Sequence, residues 1–252
     1  MICTKSEAAH HMKAEDLDIH LCESTQTIKT LEILYEDNHL IALNKPVGIP
    51  SQSDQTGVMD LRTLLMKDIK VRYDKPGNVY CGLIHRLDRP TSGVIVFAKT
   101  QKALSRMAKL FRDRDIQKSY LCVTSHIPSP FSGRLTHHLF KDRSKNKSYV
   151  TKPTGDSKEA ILSYELLQQQ GERCLVAVYP ETGRSHQIRV QMAHINCPIV
   201  GDRKYGGDHL RESSQFGLHA HKIKFEHPVK KETVEITAPW PENDPWTAFE
   251  AL

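Results

Sequence analysis

Short apolar runs and helically spaced apolar positions follow one another along the chain without an internal repeat. Two apolar runs flank Glu36-Asp37-Asn38 within Leu31–Pro46, which predicts a β-hairpin. The continuous apolar run Val94–Ala98 is typical of a strand buried on both faces. Further strands are predicted at Ser119–Thr124, Leu135–Leu139, Glu159–Gln168, Arg173–Tyr179, Leu218–Phe225 and Thr233–Ala238.

Three segments have the apolar spacing of helices: Val58–Lys67, Thr100–Asp113 and His186–Ile195. In the second, Thr100 is a favourable N-cap. Its inner stripe is Leu104, Met107, Leu110 and Phe111. Because strands and helices mix without strict βαβ alternation, an α+β fold is favoured over a doubly wound sheet.

The composition is that of an ordinary globular protein of 252 residues, 38% hydrophobic and 26% charged. No apolar run approaches the roughly 20 residues of a membrane span, so no membrane association is expected. Residues 1–29 are polar and mixed in charge, which predicts a tail without a secretory signal. The six cysteines form no CxxC pair, so we expect buried free thiols and a cytoplasmic protein.

Positive charge is concentrated in two segments of a chain whose formal net charge is +5. Lys99–Lys118 has a local net charge of +5, and Lys141–Lys152 has +4. Such clusters suit a polyanionic partner, because each neutralised phosphate releases counterions. An ordinary solvated charged face remains an alternative.

The segment His85–Gly93 (HRLDRPTSG) places Asp88 between Arg86 and Arg89. Pro90 excludes a helix interior, so the segment is predicted to be a tight loop before the buried strand. Neighbouring cations would keep Asp88 ionised, as a nucleophile or base requires. The alternative is a turn residue that bonds only its own backbone.

Two further motifs offer partners for such a carboxylate. Glu181–Arg189 (ETGRSHQIR) brings Arg189 near the start of a predicted helix, where it could pair with Asp88 or simply lie on a solvated face. In Lys118-Ser119-Tyr120, the first and third residues share one face of a strand. Tyr120 could stack on a base, worth about 1–3 kcal/mol, or be a core residue.

Histidine pairs raise the question of a metal site. His137 and His138 are adjacent, and His219 and His221 alternate on a predicted strand. No carboxylate or cysteine with ligand spacing completes either set, so no metal site is expected.

Together these motifs resemble the RluA family of pseudouridine synthases, over about Leu31–Pro239. The resemblance rests on ILYEDNHLIALNKPVGI, HRLDRPTSGVIVFAKT, ETGRSHQIRVQMAHINCPIVGDRKYG and LHAHKIKFEHP, in that order. It implies the family's fold, with a mixed, mostly antiparallel central sheet, flanking helices and loops. It also implies isomerisation of uridine in structured RNA, without cofactor or metal. The family usually has a glycine where Asn196 stands here.

Carried over by position, the resemblance implies that Asp88 is the catalytic carboxylate, that Tyr120 stacks on the uracil and that Arg189 salt-bridges the carboxylate. Arg86 would fill the gap left by the flipped nucleotide. The further substrate-binding residues we expect are His85, Arg89, Arg184 and Lys118. Whether Asp88 attacks the sugar, attacks the base or takes a proton stays open.

The resemblance also predicts domain organisation and substrate. Residues 30–252 are expected to form a catalytic domain alone, because the residues before it are too few for the small RNA-binding domain of many relatives. We expect a monomer acting on ribosomal RNA, most of all that of the large subunit, with transfer RNA as the alternative. An RNA-binding protein with a dead site is disfavoured because Asp88, Tyr120 and Arg189 are all present. A metal-dependent nuclease is disfavoured because no carboxylate cluster is found.

Overall fold

A computed structural model describes residues 31–54, 57–206 and 216–249 of the chain. Within these residues, eleven strands form one sheet, completed by three α-helices and a short 3-10 helix. The strands are β1 (Ile33–Glu36), β2 (Leu40–Lys45), β3 (Gly82–Leu83), β4 (Ser92–Ala98), β5 (Ile116–Thr124), β6 (Ser132–Asp142), β7 (Lys147–Thr151), β8 (Lys158–Gln170), β9 (Arg173–Pro180), β10 (Leu218–Glu226) and β11 (Thr233–Thr237). The helices are α1 (Leu61–Arg72), α2 (Gln101–Asp113), α3 (Gln187–His194) and the 3-10 helix Trp246–Ala248.

The sheet is mixed and almost entirely antiparallel, which confirms the predicted α+β class. Its order is β1-β2-β4-β10-β5-β9-β8-β6-β7, with β11 on β10 and β3 on β4. In the described part of the chain, only β4 and β10 pair in parallel. The predicted tail, residues 1–29, lies outside the described residues, and the domain boundary at residue 30 stays a prediction.

Strand β4 is buried along its whole length, as its apolar run predicts. It lies between β2 and β10, and its first residues directly follow the loop that carries Asp88. Gly93 has φ +106, and a Cβ there would overlap the backbone of Ala220 on β10. Only glycine permits this approach, so it ties the end of the Asp88 loop closely to the centre of the sheet.

Helix α2 begins and packs as predicted. The Thr100 side chain accepts a hydrogen bond from the Ala103 N–H, which satisfies one free donor of the first turn. Met107 is fully buried, and Leu104, Leu110 and Phe111 pack against the same core cluster. The helix ends at Asp113 and is capped by Arg114, whose φ of 65° is left-handed.

The structure departs from the predictions where the apolar pattern is weak. Strand β7 and the full length of β6 were not predicted, because this hairpin is rich in charged residues and its inner face is only partly apolar. Cross-strand pairing, such as Phe140 with Tyr149, specifies it instead. Helix α1 starts three residues later than predicted, because the Asp60 side chain caps it by accepting from the Thr63 N–H.

The departure from the family pattern at Asn196 has a simple backbone explanation. Asn196 follows α3 with φ +59, in the left-handed region that favours glycine. Asparagine tolerates this conformation better than other side chains, so the turn is preserved without glycine.

Four cysteines fall within the described residues, and all four are buried free thiols: Cys81, Cys122, Cys174 and Cys197. This agrees with the prediction for these positions, while Cys3 and Cys22 lie outside the described residues. Among the helices of the described ranges, none is both long and apolar enough to cross a membrane.

Candidate active site

The buried side chain of Lys45 anchors the loop that carries Asp88 through hydrogen bonds. Its ammonium donates to the carbonyl oxygens of Pro46, Arg89 and Thr91 at 2.9, 3.0 and 2.8 Å. Three acceptors match the three hydrogens of an ammonium group. Burial lowers the pKa of Lys45 to about 7, and the negative charge of Asp88 acts in the opposite direction. The loop backbone after Asp88 is thereby fixed to the end of β2.

A serine fixes the residue before Asp88. Ser51 Oγ donates to the Leu87 carbonyl at 2.9 Å and accepts from the Leu87 N–H at 3.1 Å. The Asp88 carbonyl accepts from the Thr91 N–H at 2.9 Å, as in a turn. The Asp88 side chain is free of its own backbone and is 31% exposed. It lines a cleft of about 930 Å³.

Arg189 joins this carboxylate to a second, buried one. Its Nη1 donates to Asp88 Oδ2 at 3.0 Å, while Nε and Nη2 donate to the two oxygens of Asp202 at 2.8 Å each. Arg189 is 6% exposed, which excludes the solvated helix face. Burial opposes its charge, but hydrogen bonds and attraction from Asp202, then Asp88, raise the pKa of Arg189 above its usual range. The guanidinium is therefore a permanent positive charge beside Asp88.

Tyr120 and Lys118 lie on β5 and both line the cleft. Burial, and then the charge of Asp88, raise the pKa of the Tyr120 phenol above its usual range, so the ring is neutral. Tyr120 packs against an apolar cluster that includes Ile188. Burial, and then Arg114, lower the pKa of Lys118 to about 8. The pair thus offers an aromatic face beside an amine that is mostly protonated at pH 7.

His85 has a packing role that its sequence neighbourhood does not reveal. Its Nε2 accepts from the Val96 N–H at 3.0 Å, and its ring stacks on Phe111 with 5.0 Å between centroids. Burial, and then Lys118, lower the pKa of His85 to about 3. The ring also lines the cleft, so substrate contact by His85 stays a prediction.

Replacing His85 with glutamine should make the protein less sensitive to acid. The unfolded chain binds a proton at His85 near pH 6.5, whereas the folded pKa is about 3. Between these values the unfolded state holds more protons, so the free energy of unfolding falls with decreasing pH, by up to about 2 kcal/mol at pH 5. Glutamine keeps an acceptor for Val96 but cannot titrate. Urea unfolding at pH 7 and pH 5 should therefore show a smaller loss in the variant; an equal loss contradicts this assignment.

The three other predicted arginines also line the cleft, and two of them are fixed by hydrogen bonds to backbone carbonyls. Arg86 is exposed. Arg89 donates through Nε to the Gly48 carbonyl at 2.8 Å, and Arg184 donates through Nε to the Glu159 carbonyl at 2.8 Å. Lys141, from the basic β6–β7 hairpin, lines the same cleft. The cleft is therefore cationic on several sides.

The histidine pairs make contacts with the protein. His137 Nδ1 lies 3.0 Å from the Gln191 amide, and His219 Nδ1 lies 2.9 Å from Ser92 Oγ. His221 Nδ1 lies 3.2 Å from the Ala238 carbonyl. In the described ranges, no group of three or more His, Cys, Asp or Glu side chains has the arrangement of a metal site.

Sequence reasoning missed four residues of this site: Lys45, Asp202, His186 and Tyr205. Lys45 lies within the predicted hairpin Leu31–Pro46, and no local pattern there indicates a buried charge. The other three lie within the Glu181–Gly206 block, where position alone could have drawn attention to them. His186 Nε2 lies 3.9 Å from Asp88 Oδ2. The site is thus larger than the three residues that the motifs indicated.

Comparison with known proteins identifies the class to which this fold and site belong. A family model described as RNA pseudouridylate synthase matches residues 39–194, which is more than half of the chain. The chain therefore belongs to the RNA pseudouridylate synthase family, and the predicted resemblance is confirmed. Among solved structures, human RNA Pseudouridylate Synthase Domain Containing 4 has the same fold: TM-score 0.71 and 24% identity, covering 83% of this chain and 88% of that one.

Within the family, the chain is similar to bacterial proteins named for the large ribosomal subunit. It is 33% identical over 214 residues to Ribosomal large subunit pseudouridine synthase C of Buchnera aphidicola, covering 82% of this chain and 66% of that protein. It is 34% identical over 203 residues to Ribosomal large subunit pseudouridine synthase D of Borreliella burgdorferi, covering 78% and 61%. The chain thus spans slightly less than two thirds of the length of these two relatives.

Proposed function

We propose that this chain isomerises uridine to pseudouridine in large-subunit ribosomal RNA. The observation that carries the proposal is the convergence of Asp88, Arg189 and Tyr120 on one cationic cleft. The reaction breaks the C1′–N1 bond, turns the uracil and joins C1′ to C5; C5 releases its hydrogen as a proton, and N1 takes up a proton. Atoms and electrons balance within the nucleoside, so neither a redox cofactor nor a metal is required.

The three central residues have distinct tasks in this proposal. Asp88 acts on the reacting nucleoside as a carboxylate, and Arg189 orients it by donating to Oδ2 at 3.0 Å. Tyr120 stacks on the uracil once the nucleotide has been flipped out. Flipping costs a few kcal/mol, and stacking returns about 1–3 kcal/mol of this. Arg86, exposed beside Asp88, occupies the gap that the base leaves.

Phosphates of the RNA are bound by the cations around the cleft. Lys118, Arg89 and Arg184 contribute as cations. His85 at the cleft wall is neutral and can contribute only as a hydrogen-bond donor through Nδ1. Lys118 has a pKa of about 8, so its amine is already mostly protonated at pH 7, and an approaching phosphate would stabilise the charged form further. Each neutralised phosphate releases counterions, so affinity should fall with added salt.

The names of the relatives bear on which RNA is the substrate. Their names refer to the ribosomal large subunit, which favours ribosomal RNA over the transfer RNA alternative. In this proposal the catalytic domain over residues 30–252 acts as a monomer, and Asp88, Arg189 and Tyr120 meet within a single copy of the chain. Free thiols at the four described cysteines suit a reducing compartment, which supports the cytoplasm.

Tritium release tests the proposal directly. Transcripts of large-subunit ribosomal RNA and a transfer RNA pool, both labelled with tritium at C5 of uridine, are incubated separately with the purified chain. Release from the ribosomal transcript, with one or a few pseudouridines mapped afterwards by mass spectrometry, is the expected result. Release from transfer RNA alone would overturn the substrate, and release from neither RNA would overturn the activity.

A further inference from the structure

His186 is a buried residue of the cleft that the proposed function does not use. It directly precedes α3 with φ +55, a strained conformation for a residue other than glycine. Its Nε2 lies 3.9 Å from Asp88 Oδ2, the oxygen that also accepts from Arg189. Within the described residues, Asp88 Oδ1 has no hydrogen-bond donor from the protein. Both neighbours therefore approach the same oxygen and leave the other one facing the cleft.

A chain of hydrogen bonds determines which ring nitrogen of His186 carries the proton. The Ser148 N–H donates to Tyr205 Oη at 2.7 Å, and a backbone N–H can only donate. The hydroxyl hydrogen of Tyr205 is then free to go to His186 Nδ1, 2.9 Å away. With Nδ1 as an acceptor, the hydrogen of a neutral imidazole is on Nε2 and points towards Asp88. The opposite tautomer would set a nitrogen lone pair against the carboxylate.

The charges around His186 keep the ring neutral. Burial is the largest influence and lowers the pKa of His186 to about 4. Asp88 acts in the opposite direction, while Arg189, Lys204 and Lys141 reinforce the lowering. At 3.9 Å, beyond hydrogen-bond distance, a neutral Nε2–H would attract Asp88 Oδ2 without adding a second full positive charge to the one that Arg189 supplies.

We propose that Tyr205 and His186 are positioning residues, which present a neutral Nε2–H to Asp88 Oδ2 and keep Oδ1 turned towards the substrate. Tyr205 acts through His186, and His186 acts through Asp88, so neither needs to contact the reacting base. This inference rests on the proposed function, because it assigns the reacting role to Asp88. The predicted tautomer of His186 concerns the RNA-free protein and does not depend on the proposed function.

Long-range ¹H–¹⁵N spectra of the RNA-free protein, labelled with ¹⁵N-histidine, test the tautomer. The spectrum of His186→Gln identifies the His186 signals by their loss. At neutral pH, Nε2 should resonate as a protonated nitrogen and Nδ1 as an unprotonated one, and Tyr205→Phe should shift His186 towards a tautomer mixture. A protonated Nδ1 in the wild-type protein would overturn the proposal.

Single-turnover rates at saturating RNA test the effect on catalysis. Tyr205→Phe keeps the ring that lies 5.2 Å over Arg189 and removes only the hydroxyl; a lost hydrogen bond of this kind predicts a rate about tenfold lower. The dissociation constant for RNA should be unchanged, while the melting temperature should fall modestly because the buried Ser148 N–H loses its acceptor. Tyr149→Phe removes an exposed hydroxyl on the neighbouring strand β7 and should leave the rate unchanged. A wild-type rate in Tyr205→Phe would overturn the proposal.

Two substitutions at position 186, glutamine and leucine, test whether an N–H donor alone restores the reaction rate. Glutamine supplies an N–H donor near the place of Nε2, and leucine of similar size does not. His186→Gln should therefore retain a rate about tenfold above that of His186→Leu, with similar melting temperatures. Equal rates in the two variants would overturn the positioning role. If wild-type protein releases no tritium from any RNA, the proposed function fails, whereas the spectra still decide the tautomer.

Discussion

Replacing Asp88 with asparagine should reduce pseudouridine formation by at least about 1000-fold, a barrier increase of about 4 kcal/mol. Asparagine has the same shape and can still accept from Arg189 at the present 3.0 Å. It lacks the negative charge that a nucleophile or base requires. Tritium release from uridine-labelled RNA measures the loss.

RNA binding separates this prediction from a general loss of structure. Removing one negative charge from a cationic cleft should leave the affinity for RNA unchanged or higher. Asp74→Asn is the matched control, because Asp74 is exposed and outside the cleft lining. It should keep wild-type activity. Turnover by purified Asp88→Asn within tenfold of wild type would refute the role of Asp88.

Replacing Arg189 with leucine should abolish activity and also lower the free energy of unfolding by about 3–5 kcal/mol, as expected when a buried ion pair loses one partner. The cost arises mainly at Asp202, whose side chain is fully buried and would lose its guanidinium partner. The Lys204 and Tyr205 N–H groups would remain as its donors. Urea unfolding and tritium release measure the two losses.

A double variant separates the two roles of Arg189. Adding Asp202→Asn to Arg189→Leu removes the buried unpaired charge and should restore part of the stability. Activity should stay low, because Asp88 still lacks its cationic partner. Recovery of activity together with stability would mean that Arg189 serves the fold alone.

The local features that were predicted correctly depend on neighbouring residues. The apolar run of β4 specifies a buried strand, and Thr100 with its apolar stripe specifies α2. Asp88 lies on a loop because Pro90 excludes a helix there. Strand β7 was missed because its five residues, KSYVT, have no clear apolar period, so its pairing with β6 decides its structure.

The site could be predicted only in part, for the same reason. Family resemblance indicated Asp88, Tyr120 and Arg189, but their residue types alone left a turn residue, a core tyrosine and a solvated arginine as alternatives. The salt bridge between Asp88 and Arg189 spans 101 positions. No local pattern encodes such a contact, so the fold had to bring the two segments together before one alternative could be chosen.

The sequence by itself determined the elements of this protein and the residues available for chemistry, because periodicity, caps and turn residues act within a few positions. The tertiary structure alone decided which charges are buried and what they meet. Lys45 donates to the backbone of the Asp88 loop, Asp202 accepts from Arg189, and His186 lies 3.9 Å from Asp88. Burial and pairing determine the charge state of such groups, and both depend on segments that are distant in the chain.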